Sequence, residues 1–126
     1  MTQEKMIAVR QRMQHEQILW MATTRPDGRP HVAPIWFVWH EDRAYVMTLG
    51  VKVENVRHNG LAALNTEDGS KVVIIEGTAR IVPRQEAVFE PVAKLFIERY
   101  EWDIHHADDG HELIEITPVK ALMWNA

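Results

Sequence analysis

The segment TLGVKVEN, which runs from Thr48 to Asn55, has the residue types and spacing of a phosphate-binding site. A predicted strand ends at Thr48, Gly50 follows it, and Lys52 lies in the first turn of a helix predicted over residues 51–58. The start of a helix carries unpaired N–H groups and a partial positive charge, and it therefore attracts phosphate. Thr48 can add a hydroxyl, Lys52 a charge and Asn55, one turn later, an amide on the same face. The alternative is a solvent-facing lysine on a surface helix, which describes most lysines.

A second candidate is the stretch RPHVAPIWFVW, a predicted strand with a proline inside it. Proline has no N–H to donate, so Pro34 predicts a place where this strand is unpaired on one side. The free backbone groups of Val32, Ala33 and Ile35 would then suit the edge of a flat heteroaromatic ligand. Trp36 is predicted on the same face as Pro34 and Val32. The alternative is that Pro34 only protects a barrel edge and that the aromatic residues fill the core.

Histidine-rich sequence elsewhere is weaker evidence for a site. The segment HHADDGH contains His105 and His111, but it reads as a loop with Asp109-Gly110 turn chemistry, whereas metal sites need ligands on rigid elements. We therefore expect no metal site. His31, at the start of the proline-containing strand, is interpreted as a half-exposed residue that could touch a ligand. The sequence identifies no general acid or base.

Composition narrows the classes of partner. The chain of 126 residues has a formal net charge of −4, which argues against nucleic acid as a partner. No apolar run reaches the length of a membrane span, and the N-terminal residues lack the apolar region of a signal peptide. The chain has no cysteine, which excludes disulfides and thiolate sites. We expect a cytoplasmic protein that handles a small molecule or another protein.

The elements that would position these residues are mainly β. Helices are predicted over residues 2–17, with Thr2 as N-cap, over 51–58, and from Pro83 to residue 100, with a kink or restart at Pro91. The predicted strands cover residues 18–24, 31–39, 44–48, 61–68, 70–82 and 111–126, the last range as one or two strands. Six or seven strands in so short a chain favour one small antiparallel barrel spanning residues 1–126.

Read together, LWMATTRPDGRPHVAPIWFVW, a strand ending in threonine and then KVENVRHN resemble the FMN-binding split-barrel proteins related to pyridoxamine 5′-phosphate oxidase. The similarity is greatest to the small flavin- or deazaflavin-dependent oxidoreductases of that superfamily. It is strong from Ile18 to Val82 and weak around the helix that ends near Tyr100. The order and spacing of the motifs carry it, because no single motif is highly specific.

The resemblance implies a six-stranded antiparallel split barrel with a few flanking helices, forming a homodimer with two cofactors in clefts between the subunits. The cofactor ring would lie against the strand from Val32 to Trp36, and the phosphate would be held by Thr48, Lys52 and Asn55. Trp124 would close over the ring of the other subunit.

Two departures from the family pattern guide the choice of cofactor. No basic residue follows Lys120, so oxidation of vitamin B6 is not expected. Gly50 and Val51 precede Lys52 and Glu54 follows closely, which leaves less positive charge than the acidic tail of a deazaflavin would favour. The resemblance therefore implies an oxidoreductase that uses FMN, with coenzyme F420 as the alternative. A non-catalytic protein that binds FMN, haem or another tetrapyrrole and a barrel whose cofactor site has decayed remain open.

Overall fold

The computed structural model describes residues 1–124 of the chain. Its elements, in chain order, are α1 (Gln3–Met13), β1 (Ile18–Thr24), β2 (Pro30–Trp36), β3 (Val38–His40), β4 (Arg43–Thr48), α2 (Val51–His58), β5 (Leu61–Thr66), β6 (Val73–Val82), α3 (Phe89–Tyr100) and β7 (Glu112–Met123). Two short 3₁₀ helices cover Gly69–Lys71 and Ile104–His106. Trp124 is the last residue described, so the final two positions of the predicted closing strand lie outside the described residues.

The strands form one antiparallel sheet in the order β2-β1-β5-β6-β7-β4-β3. Because β2 and β3 follow each other along the chain with only Phe37 between them, the two ends of this sheet meet and the sheet curls into a split barrel. The expected fold class is therefore confirmed. The structure has seven strands where six were implied, because the chain leaves its pairing with β1 at Trp36 and pairs with β4 from Val38.

Alternating side chains along the strands build the core. Leu19, Met21 and Ile35 point inward and are buried, and Val9 and Met13 of α1 belong to the same hydrophobic cluster. A second cluster lies on the outer side of β4, where Tyr45 and Met47 pack with apolar residues of α3. This second cluster attaches α3 to the barrel.

Helix boundaries differ from the sequence prediction in two places. The expected N-cap of α1 is confirmed, since Thr2 Oγ1 accepts a hydrogen bond from the Lys5 N–H at 3.1 Å, but α1 ends at Met13 rather than at residue 17. The prediction that the third helix begins at Pro83 is wrong, because α3 begins at Phe89. Pro91 then lies in the first turn, where a backbone N–H has no partner within the helix and its absence costs nothing. Within residues 1–124 we find no helix with both the length and the apolar character that crossing a membrane requires.

Candidate functional site

A cleft opens where β2 and β4 separate. The ladder between β3 and β4 runs from His40↔Arg43 to Val38↔Tyr45 and goes no further, so the next residues of the two chain segments do not pair with each other. The resulting cleft has a volume of about 520 Å³ and is called here the β2–β4 cleft. It is lined by Pro34, Ile35, Trp36, Met47, Thr48, Lys52, Tyr100, Glu101 and Trp102.

Strand β2 is an edge strand, as Pro34 predicted. Among the described residues it pairs only with β1, in a register that places Pro34 opposite Trp20 and Val32 opposite Ala22. Val32, Pro34 and Trp36 are exposed on the outer face, whereas Ile35 is buried. Of the five predicted residues on this strand, Pro34, Ile35 and Trp36 line the cleft, and Val32 and the half-buried Ala33 continue the same strand beyond it.

One end of the cleft has the features of an anion site. Thr48 ends β4, Gly50 adopts a positive φ of 80° as N-cap of α2, and Lys52 lies half-buried in the first turn. No side chain caps the start of α2, so its first N–H groups remain available. Within the described residues, Lys52 has no salt-bridge partner. Thr48 and Lys52 therefore both line the cleft beside the positive end of α2.

Asn55 lies elsewhere than the sequence predicted. Its side chain is buried beneath α2, where Nδ2 donates a hydrogen bond to Thr23 Oγ1 at 3.0 Å, and it does not line the cleft. A position three residues after Lys52 turns toward the barrel, because the inner face of this short helix must pack on β1. Asn55 therefore ties α2 to β1, and the amide that was expected to face a phosphate is used in that contact.

Trp124 also lies away from the cleft of its own chain. Its indole Nε1 donates to the Gly69 carbonyl at 2.9 Å, and its backbone N–H donates to the Val72 carbonyl at 3.2 Å. The side chain is 43% exposed. The expected contact with the cofactor of a second subunit stays a prediction.

His31 lies close to the anion end. The Nδ1 atom of this half-buried residue is shielded from solvent and has no hydrogen-bond partner. Burial lowers the pKa of His31, and the positive charges of Arg25 and Lys52 lower it further. His31 is therefore a neutral imidazole beside two cations at neutral pH.

Another part of the cleft is aromatic, and the sequence predicted Trp36 there but neither Tyr100 nor Trp102. Trp36 stacks on Tyr100 with ring centroids 4.7 Å apart and planes 6° apart, and Trp102 meets Trp36 edge-on at 6.1 Å. The Tyr100 hydroxyl accepts a hydrogen bond from the Phe37 N–H at 3.1 Å and lies 2.7 Å from the Phe37 carbonyl oxygen. Tyr100 thus satisfies the backbone of the one residue at which the chain changes its pairing from β1 to β4.

Three consecutive residues at the end of α3 line this aromatic end. Glu101 ends the helix in the left-handed conformation, with φ 56° and ψ 35°, and brings Tyr100 and Trp102 to the same cleft as itself. In a continued helix, consecutive side chains would point about 100° apart and would not share one surface. The sequence signal was weak here, because a glutamate at this position does not announce a left-handed turn as glycine does.

The histidine-rich segment is hydrogen-bonded to the start of α3 through His105. His105 lies between two carboxylates, with Nδ1 2.7 Å from Asp103 Oδ1 and Nε2 2.9 Å from Glu90 Oε1. These hydrogen bonds, that of Glu90 first, raise the pKa of His105. The segment that was predicted as a loop thus includes a 3₁₀ helix, and this helix is hydrogen-bonded to the start of α3 through Glu90.

An antiparallel barrel left open beside an edge strand, with a lysine at a helix start and an aromatic wall in the opening, belongs to the split-barrel class. The family model for pyridoxamine 5′-phosphate oxidase matches residues 6–125, and the chain therefore belongs to this family. The expectation from the sequence motifs is confirmed. No curated protein is similar enough in sequence to count as a relative.

Solved structures with the same fold include proteins of different function. The haem storage protein HutZ from Vibrio cholerae superposes with a TM-score of 0.81 at 19% identity, covering 93% of this chain and 92% of HutZ. An FAD-binding protein from Mesorhizobium loti gives 0.72 at 16% identity, covering 96% and 92%. An F420 reductase gives 0.69 at 21% identity, covering 87% and 92%. At these identities the likeness establishes the fold alone.

Proposed function

We propose that this protein binds FMN in the β2–β4 cleft of a homodimer and uses it to transfer two electrons to or from a small planar substrate. The observation that carries the proposal is the arrangement of Lys52, Thr48 and the uncapped start of α2 at one end of a cleft whose wall is the unpaired edge of β2. When bound, the flavin supplies the redox chemistry, while the chain binds and orients it.

Each predicted site residue has a role in this proposal. The backbone of residues 32–36 faces the ring, and Lys52 and Thr48 hold the phosphate. Asn55 keeps α2 in position through Thr23 instead of contacting the phosphate itself. Trp124 of a second copy covers the ring.

The local charges favour FMN over coenzyme F420. The Arg57 side chain, the nearest further cation on α2, lies 3.5 Å from a Glu54 oxygen and 3.9 Å from a Glu112 oxygen. Its charge is therefore balanced within the chain, and Glu101 adds a negative charge to the cleft. Arg25, the other cation beside His31, donates a hydrogen bond to the Pro30 carbonyl. The acidic tail of a deazaflavin needs positive charge that is not already paired.

A large apolar surface supports the homodimer. Side chains that point outward from β1, β2, β5 and β7 remain exposed in the single chain, with Trp20 at 36%, Val32 at 57%, Leu61 at 63% and Leu122 at 48%. An exposed apolar surface of this kind marks an interface. It includes the outer face of β2, so a second copy that covered it would border the cleft. The absence of cysteine suits the reducing cytoplasm, where we place the protein.

A second candidate function is non-catalytic binding of haem or another tetrapyrrole in the same cleft. The observation that favours it is the aromatic wall of Trp36, Tyr100 and Trp102, on which a flat macrocycle can stack. The haem storage function of one protein with this fold makes the candidate worth testing.

The decisive experiment is mass spectrometry of the small molecule released when freshly purified protein is denatured, together with the absorbance spectrum before denaturation. FMN and a flavin spectrum support the first candidate, whereas haem and its Soret band support the second. Bleaching of the bound flavin by a reduced nicotinamide, with turnover on quinones, then distinguishes an oxidoreductase from a carrier. Colourless protein that takes up neither compound would mean a decayed site.

The Lys52→Ala variant tests the anion end. If Lys52 makes a charge-assisted contact with the phosphate, the variant should bind FMN more weakly by about 1.5–3 kcal/mol. Lys94→Ala is the matched control, because it removes the same charge from the exposed side of α3. Equal FMN affinity in the two variants would count against the site.

A further inference from the structure

We infer that the end of the β2–β4 cleft formed by α3 selects planar organic cations, with Glu101 as the residue that determines this specificity. The inference rests on the proposed function in one respect, which is that the Lys52 end of the cleft is used by the cofactor phosphate. It adds the class of the substrate.

The aromatic end offers surfaces on which a flat cation can stack. Trp36 is 48% exposed even though Tyr100 covers one of its faces, and Trp102 stands at 72° to it. A cation over the face of an indole is attracted by the negative potential of the ring, and tryptophan is the best of the aromatic residues for this contact. A stacked planar cation would gain both this attraction and the burial of apolar surface.

The charge at this end is negative. Among the described residues that line the cleft, Glu101 is the one acid and Lys52 the one base; Lys52 lies in the first turn of α2, whereas Glu101 caps the end of α3. The carbonyl groups at the end of α3 add partial negative charge in the same place. Once a phosphate balances Lys52, the field that a substrate meets is that of Glu101 and the helix end.

The neighbouring cation is held against aromatic rings and lines a different cleft. The Arg99 guanidinium lies over the rings of Phe37 and Tyr100, 4.9 and 5.7 Å from their centroids, and lines a separate cleft with Glu98. The left-handed turn at Glu101 separates the two clefts, since it directs Glu101 and Trp102 into the β2–β4 cleft while Arg99 stays on the helix.

The experiment compares three bicyclic probes of similar shape by isothermal titration calorimetry: N-methylquinolinium, which is a cation, quinoline, which is neutral, and 1-naphthoate, which is an anion. With FMN-loaded protein, the cation should bind about ten-fold more tightly than the anion, with quinoline between them. Glu101→Gln should weaken binding of the cation about five-fold and leave quinoline unchanged. Glu98→Gln, which removes the same charge from the other side of α3, should change none of the three.

Failure of this inference can be told apart from failure of the proposed function. If the protein retains FMN but binds the cation no better than the anion, or if both glutamine variants behave alike, the inference is overturned and the proposed function stands. If the protein does not retain FMN, the Glu101→Gln titration is done on cofactor-free protein with the cation alone. A five-fold loss there supports the inference without the flavin, and no loss overturns it.

Discussion

Tyr100 should hold the β2–β4 cleft open, and replacing it with phenylalanine isolates the part played by its hydroxyl group. The hydroxyl accepts a hydrogen bond from the Phe37 N–H at 3.1 Å and lies 2.7 Å from the Phe37 carbonyl and 2.6 Å from the Gln17 carbonyl. Since it carries a single hydrogen, it donates to one of these two carbonyls at a time. The ring of the variant can still stack on Trp36.

The expected loss follows from the backbone groups that are left without a partner. Phe37 is buried and lies between two strands, so neither β1 nor β4 can replace the lost contacts. Leaving a buried backbone donor or acceptor unsatisfied costs about 1–3 kcal/mol, so we expect Tyr100→Phe to lower the free energy of unfolding by about 2–3 kcal/mol. Tyr100→Leu should cost about 0.5–1.5 kcal/mol more, because it also removes the stacking with Trp36.

Urea denaturation followed by tryptophan fluorescence measures both variants. FMN affinity should fall in Tyr100→Phe as well, because the strand change at Phe37 sets the spacing between β2 and β4. If the phenylalanine variant is within about 0.5 kcal/mol of the native protein, the hydroxyl does not hold the strand change and the reasoning fails.

Two further predictions concern the β-bulge at Gly77 and the hydrogen bonds of His105 with Asp103 and Glu90. Gly77 lies at a β-bulge, where an added Cβ would collide with a backbone carbonyl of β7. Gly77→Ala should therefore lower the free energy of unfolding, measured by urea denaturation, by about 1–3 kcal/mol. Gly69→Ala, which adds a Cβ in open space, should lower it little. His105 has a raised pKa because it bonds to Glu90 and Asp103, so its stabilising contribution is fully present below about pH 6.5 and is lost as the pH rises through the raised value. The stability difference between the native protein and His105→Gln should therefore shrink from about pH 6 to alkaline pH, and a difference that grew over this range would contradict the assigned contacts.

The strands and the open edge could be predicted from the sequence because they depend on local chemistry. A short apolar run followed by turn residues marks β1, and Pro34 marks β2 as an edge strand because proline cannot donate a ladder hydrogen bond. The confirmed N-cap at Thr2 depends on contacts only three residues apart. The start of α3 was misplaced because Pro83 is a plausible first helical residue, while only the packing of Phe89 against the barrel determines where the helix begins.

The amino-acid sequence by itself determined a mainly β chain with an edge strand and a lysine at the start of a helix. These features depend on the periodicity of apolar residues, on turn residues and on proline, whose conformational effects extend over only a few positions. The tertiary structure alone decided which side chains face the cleft and which pack against the barrel. It turned Asn55 away from the cleft and onto Thr23, 32 positions earlier, and it brought Tyr100 to Phe37 across 63 positions. Contacts at such separations depend on how barrel and helices pack, and that packing closes one end of the cleft with aromatic rings and an acid.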